Sequence, residues 1–288
     1  MSRIGIIGGS ALYNMEEIEI VDQRKVDTPF GEPSDEFVIG RLSGKEVVFL
    51  PRHGRSHNLL PSEINYRANI YAFKVLEVDR IISVSAVGSL KKNVHPLDMV
   101  LVDQFIDRTN QARKMTFFGD GIAAHVSFSE PVCPELKQII YNSNKSLDAT
   151  IHNGGTYVNI EGPAFSTKAE SVIYKSWGAD VIGMTNLAEG RLAREAGICY
   201  TTIATVTDYD CWHEAPGVEE VSVEMIIQNL TKNTEVTKTM LKNTIAALPS
   251  SFSCECGEAL RNAIITPKHA IPKNVIEKLK PIIGKYLE

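Results

Sequence analysis

At 288 residues and 31.8 kDa the chain is long enough to bury a full-sized core without division into domains. Hydrophobic residues make up 43% and charged residues 23%, and 30 basic against 35 acidic side chains leave a formal charge of −5, which argues against the long basic field that nucleic acid demands. No apolar run approaches the roughly 20 residues of a bilayer span, and Gly8 and Gly9 break the first apolar run too early for a signal peptide, so a cytoplasmic location is expected by default.

Residues 4–7 predict a short buried strand that ends in a glycine turn. Residues 46–50 and 80–85 predict two more strands, each passing into a polar or glycine-containing loop. Between them residues 63–76 carry helical periodicity, with Ile64, Ala68, Tyr71 and Val75 on one face and Ser62 as the cap. Strands follow at 99–103, 156–160 and 181–184, and helices at 167–177 and 187–196. Residues 199–207 form the longest β-branched run, as expected of a buried central strand. A long amphipathic helix is predicted over 221–243, a loop over 249–257, and a last short helix over 274–280 that enters after Pro272 and stops at Pro281. The expected fold is α/β: one domain over 1–288, with a mixed, mostly parallel twisted sheet flanked by helices, a core of about 4–247 and a C-terminal extension over 248–288. The stretch 107–134 is irregular, aromatic and glycine-bearing, which suits the lining of a site or a subunit contact.

Several polar groups fall where strands end, the places where open α/β sheets gather ligands. The Gly8-Gly9-Ser10 turn offers backbone N–H groups and a hydroxyl to an anion, although a plain strand-to-helix turn explains it as well. It matches neither the dinucleotide fingerprint nor the P-loop. Arg52 can grip two oxygens of an oxyanion and His53 can donate a further hydrogen bond; the bland reading is an exposed basic loop, which fits Arg55 better. Ser85, Ala86 and Thr185 close two further strands. At the opposite pole Asp208 and Asp210 follow the central strand at i, i+2, so both can face one side. Enclosure and a like-charged neighbour raise a carboxylate pKa, which lets it carry a proton to a departing base. A solvated turn or a helix cap is the alternative.

The five cysteines are too few and too scattered for a disulfide-built domain. Cys254 and Cys256 are closely spaced, but a zinc site would want a second pair nearby, and only His269 offers itself locally. Plain thiols are the leading expectation, a disulfide comes second and a metal last.

Six blocks, read in order, make the chain resemble the trimeric purine nucleoside phosphorylase family, and within it the members that act on methylthioadenosine. They are Gly5-Ile6-Ile7-Gly8-Gly9-Ser10, Pro51-Arg52-His53-Gly54-Arg55, Asn65-Tyr66-Arg67-Ala68-Asn69, Glu161-Gly162-Pro163-Ala164-Phe165-Ser166, Gly183-Met184-Thr185 and Thr207-Asp208-Tyr209-Asp210. The resemblance implies a pentosyltransferase that uses phosphate to split methylthioadenosine into adenine and 5-methylthioribose 1-phosphate. The alternative it leaves open is a broader phosphorylase acting on adenosine, inosine or methylthioinosine. No cofactor or metal is implied; inorganic phosphate is the co-substrate.

By the same resemblance Ser10, Arg52, His53, Ser85, Ala86 and Thr185 would surround phosphate. Met184 would hydrogen-bond ribose through its backbone and Phe165 would meet the purine. Thr207, Asp208 and Asp210 would hold the base, with Asp208 at N7 and Asp210 at the 6-amino group, and Asp208, Arg52 and His53 would carry catalysis. Val223, Ile226 and Ile227 would wall the methylthio pocket, closed by His125 of a neighbouring subunit in a homotrimer or homohexamer. Relatives specific for 6-oxopurines place asparagine at position 208 and glutamate at 166, so Asp208 and Ser166 point to 6-aminopurines. The sequence departs from the family pattern at Ala164, where many relatives have arginine, and over Asn186-Leu187-Ala188-Glu189.

Overall fold

The structure is a computed structural model that describes residues 3–9, 12, 18–110, 112–213 and 223–287, with the side chains of residues 223 and 225 outside that description. Among them the chain runs β1 (Arg3–Gly8), β2 (Glu19–Arg24), β3 (Phe37–Leu42), β4 (Lys45–Pro51), α1 (Tyr66–Val75), β5 (Val78–Ser89), β6 (Met99–Leu101), β7 (Gln104–Arg108), α2 (Pro134–Asn144), β8 (Ile151–His152), β9 (Thr156–Ile160), α3 (Lys168–Ser176), β10 (Val181–Gly183), α4 (Asn186–Glu195), β11 (Cys199–Tyr209), α5 (Val223–Ala247) and α6 (Lys273–Ile283). The strands join in one mixed sheet of order β2-β3-β4-β1-β5-β10-β9-β7, with β11, β6 and β8 branching from β5. No helix among the described residues is long and apolar enough to cross a membrane.

β5 organises the sheet because it is long enough to serve three neighbours. On one edge it pairs parallel with β1 as far as Ser83, then antiparallel with β10 from Gly88. On the other it pairs with β11 along nearly its whole length. Residues 84–87 therefore have a ladder partner on one edge only, and the backbone facing the gap between β1 and β10 is open. The strand expected to end at 85 continues to Ser89, so Ser85 and Ala86 stand inside it, over that gap.

β11 is buried at every position but its last. Its register against β5 shifts between Val206 and Asp208, which makes Thr207 an extra residue. Such a bulge re-aims the side chains that follow it. α5 packs against it through two asparagines: Asn233 Nδ2 donates at 2.9 Å to the Val206 carbonyl, which also accepts from the Leu97 N–H at 2.8 Å, and Asn229 Nδ2 donates to the Thr207 carbonyl at 2.7 Å.

Two predicted boundaries are corrected. α1 starts at Tyr66 rather than 63, because the Asn65 side chain, not Ser62, accepts from the Ala68 N–H; Val75 is 44% exposed, off the buried face. α6 runs through Pro281 to Ile283, where the burial of Ile282 and Ile283 offsets the lost backbone donor. β9 matches its expected bounds to the residue. All five cysteines are free, so the expected second choice, a disulfide, is not formed.

Candidate active site

A cavity of about 470 Å³, within the range of small-molecule sites, opens where β1, β4, β5, β10 and β11 meet α5. Arg52, His53, Ser85, Ala86, Phe165, Met184, Thr185, Thr207, Asp208, Asp210 and Ile226, brought from chain positions more than 170 residues apart, all line it. Ser10 lies outside the described residues, and of Val223 only the backbone is described. Ile227 does not line the cavity and is 56% exposed, so it adds nothing to the wall of its own subunit. His125 is exposed on the irregular segment and is likewise absent from the lining.

The end that sequence reading assigned to an anion is more heavily braced than the sequence predicts. Arg52 is buried, and its guanidinium meets Glu189 at two points: Nε donates to Oε1 at 2.5 Å and Nη2 to Oε2 at 3.3 Å. Nη1 donates to the Val84 carbonyl at 2.9 Å, and Nη2 also reaches the Ser83 hydroxyl at 2.6 Å. One Nη1 N–H remains for a ligand, so the two-oxygen grip expected of Arg52 is not available. Burial opposes the Arg52 charge, but the Glu189 carboxylate more than offsets it and holds the guanidinium ionised. Glu189 in turn accepts from the Ser83 and Tyr200 hydroxyls at 2.7 and 2.9 Å, and Asn186 donates to Thr202 and Ser83 at 2.8 and 2.9 Å. Asn186 and Glu189, noted only as departures from a pattern, thus form the frame behind Arg52.

Thr185 is the N-cap residue of α4, yet its hydroxyl makes no cap bond and faces the cavity, so a side-chain donor and the positive end of the helix dipole coincide there. His53 Nδ1 lies 2.8 Å from the Leu59 carbonyl, which can only accept, so the proton sits on Nδ1 and the other ring nitrogen is an acceptor in the neutral ring. Burial, with the Arg52 charge beside it, pushes His53 down to about 4. Neutral His53 therefore accepts a hydrogen bond from a protonated ligand rather than donating the one expected of it.

At the other end Asp208 and Asp210 face the same side, as expected. Gly88 lies beneath both: a Cβ there would come within 3.4 Å of Asp208 Oδ2 and 3.5 Å of Asp210 Cβ. Burial lifts the Asp208 carboxyl to about 6, against a 2.6 Å hydrogen bond from the Thr207 hydroxyl and with help from the Asp210 charge. Burial also raises Asp210, opposed by the Ser171 hydroxyl, and its Oδ2 is enclosed without a protein partner.

A third element, not legible in the sequence, braces the cavity wall from behind. Arg113, on the irregular segment, donates to Glu161 Oε1 at 3.0 Å and to the carbonyls of Glu161 and Met184. The Met184 carbonyl also accepts from Asn159 at 3.2 Å. That carbonyl is thereby committed to the protein. Gly162 sits at φ +70°, a backbone conformation that favours glycine, where the loop bearing Phe165 packs on the Met184 side chain; a Cβ there would lie 2.5 Å from Sδ and push that side chain aside. Ala164 is exposed and outside the lining.

Comparison with known proteins agrees with this geometry. A family model described as the phosphorylase superfamily matches residues 3–246. The chain is 55% identical over 285 residues to an S-methyl-5'-thioadenosine phosphorylase of Koribacter versatilis, covering 99% of this chain and 97% of that one. A crystal structure of a methylthioadenosine phosphorylase from an Antarctic soil metagenomic library superposes with a TM-score of 0.90 at 48% identity, covering 98% of both chains. A variant of the adenosine/methylthioadenosine phosphorylase of Schistosoma mansoni, in complex with methylthioadenosine, superposes with a TM-score of 0.83 at 35% identity, covering 91% of this chain and 96% of that one.

Proposed function

The chain belongs to the phosphorylase superfamily, and we propose that it cleaves S-methyl-5'-thioadenosine with inorganic phosphate, giving adenine and 5-methylthioribose 1-phosphate. The observation that carries this reading is the placement of Asp208, enclosed and near its protonation midpoint, in the same cavity as the Arg52–Thr185 anion end.

Phosphate sits at the N-terminus of α4, where the Thr185 hydroxyl, the remaining Arg52 N–H and the open backbone of residues 84–87 supply donors. His53 accepts a hydrogen bond from the phosphate hydroxyl. The C1'–N9 bond breaks as a phosphate oxygen bonds to C1', and alignment of the two reactants replaces covalent catalysis. Negative charge passes to the adenine ring, where protonated Asp208 donates to N7. The proton that phosphate loses on becoming an ester balances the one adenine gains. The Asp210 carboxylate, which lines the cavity, accepts from the 6-amino group, a contact that a 6-oxopurine cannot make. Ile226 and Leu230 on α5, with Leu60 opposite, form the apolar wall toward the methylthio group. An apolar wall of this kind favours a methylthio group over a hydroxyl by about 1–3 kcal/mol.

The reading includes a homo-oligomer, trimer or hexamer, in which His125 closes a neighbour's pocket, and a cytoplasmic enzyme. The exposed Val172, Ile173 and Trp177 on and just after α3 support a subunit contact, since a monomer would leave all three in water. The test is adenine release from methylthioadenosine, adenosine and inosine, each with and without phosphate. Phosphate-dependent cleavage that favours methylthioadenosine is expected; equal cleavage without phosphate would overturn the reading.

A further inference from the structure

Four cysteines unused by this chemistry come together at the opposite end of β11 from Asp208. The sulfur atoms of Cys133, Cys199, Cys254 and Cys256 all lie within 4.8 Å of one another, with Cys199 and Cys254 3.2 Å apart. They come from three places: the N-cap of α2, the first residue of β11, and the loop after α5 that enters a 3₁₀ turn over Glu255–Glu258. Sequence spacing gave no sign of this, because Cys133 and Cys199 are each more than 50 residues from the Cys254–Cys256 pair. We infer that these four side chains are the thiolate ligands of a structural zinc ion that staples the C-terminal extension to the core.

The separations suit a tetrahedral centre. A Zn–S bond of about 2.3 Å sets tetrahedral sulfur–sulfur edges of roughly 3.8 Å, and all four sulfurs lie within 4.8 Å of one another. Two disulfides would need only two close pairs; convergence of all four sulfurs is what one central ion requires. Soft thiolates in a tetrahedral set select zinc over hard cations. Cys133, Cys199 and Cys256 are buried and Cys254 is half-buried, leaving no open position for substrate, as in structural rather than catalytic zinc sites.

The surroundings suit a negatively charged metal–thiolate centre. Four thiolates and one divalent zinc carry a net charge of about −2. The Leu136 N–H, in the first turn of α2, donates to Cys133 Sγ at 3.4 Å, and Arg194 Nη1 lies 4.0 Å from Cys256 Sγ. Both favour the anionic form of the sulfur they face. Glu135, one residue into α2, accepts from the Ser253 and Cys254 N–H groups at 2.9 Å each, which holds the loop in place for its two ligands. β11 separates the cluster from the cavity, with Cys199 at its first residue and Asp208 near its last, so the ion acts on stability and not on the reaction.

The full chain, expressed with zinc and purified in reducing, chelator-free buffer, would be measured by elemental mass spectrometry and by zinc release during thiol titration with a mercurial. About one zinc per chain is expected, freed as four thiols react, together with a tetrahedral cobalt–thiolate spectrum after substitution. Cys254→Ser and Cys256→Ser should each lose the metal and lower Tm, whereas Cys211→Ser, outside the cluster, should keep it. A metal-free wild-type chain with freely titrating thiols, a pair of disulfides seen by non-reducing mass spectrometry, or iron in place of zinc would each overturn the inference.

Discussion

Arg52 and Glu189, 137 residues apart, form a buried pair in which the guanidinium meets the carboxylate at 2.5 and 3.3 Å. The pair fixes the cationic group of the anion end before any ligand arrives, so the cost of orienting it is met by folding rather than by binding. It also means that part of the Arg52 charge is already answered, and the phosphate depends on the α4 N-terminus and Thr185 for the rest.

Breaking such a pair leaves an uncompensated buried charge, a cost of about 3–5 kcal/mol. Arg52→Met and Glu189→Leu should each lower stability by that order. The double variant, freed of both charges, should lose less than the sum of the two. A double-mutant cycle in denaturant measures the coupling, and the double variant should remain without phosphorolysis although it folds.

The raised Asp208 pKa has consequences of opposite sign for activity and stability. The proton-carrying form dominates below about 6 and gives way above it, so kcat/KM for methylthioadenosine should fall as pH rises through that value. In Asp208→Asn this limb should disappear along with most of the turnover. For stability, an acid whose folded pKa exceeds its unfolded value costs nothing below the unfolded pKa of 3.8, and the penalty grows as pH rises to about 6. It then holds at a value on the order of 3 kcal/mol. Asp208→Asn should therefore raise Tm at pH 7 while leaving it nearly unchanged at pH 4. An unchanged Tm at both pH values would remove burial as the cause of the shift.

Arg113, buried on a segment with no regular structure, stands behind the cavity wall, and its three anchors hold the Glu161–Gly162 turn against Met184. Lysine cannot reproduce that fork. Arg113→Lys should raise KM for methylthioadenosine at least tenfold and leave KM for phosphate within about threefold. A loss confined to phosphate would show that the turn it holds shapes the anion end instead.

Strand ends were the legible part of this site. Arg52, Thr185 and Asp208 each follow an apolar run that forms a strand, and local periodicity locates all three. The edge strand β2 escaped because its residues are nearly all exposed and show no inward-facing alternation. Glu189, Arg113 and the four clustered cysteines act across 48 residues or more of chain, where no window of sequence records the partner. Glu189 did leave a trace: it stands three and four residues before Leu192 and Ala193, a charge on the buried face of a helix. A carboxylate in that position needs a partner: Arg52 answers Glu189, whereas Glu195 on the same helix accepts from the Thr116 hydroxyl and the Phe117 N–H.

The Thr207 bulge yields a last prediction. Val206 and Thr207 present carbonyls to α5, and Asn233 and Asn229 satisfy them at 2.9 and 2.7 Å. The Val206 carbonyl keeps the Leu97 N–H at 2.8 Å when Asn233 is removed, so Asn233→Ala, at a position 1% exposed, should lower stability by about 0.5–1.5 kcal/mol, as for a single hydrogen bond. Asn229→Ala, at a half-buried position, should cost more turnover than Asn233→Ala, since it frees the carbonyl of the residue whose hydroxyl bonds Asp208. Adenosine and methylthioadenosine share the base and differ at the 5' position, so a defect transmitted through Asp208 should lower kcat for both by the same factor. A loss confined to methylthioadenosine would show that Asn229 acts through the apolar wall of α5 and not through the bulge.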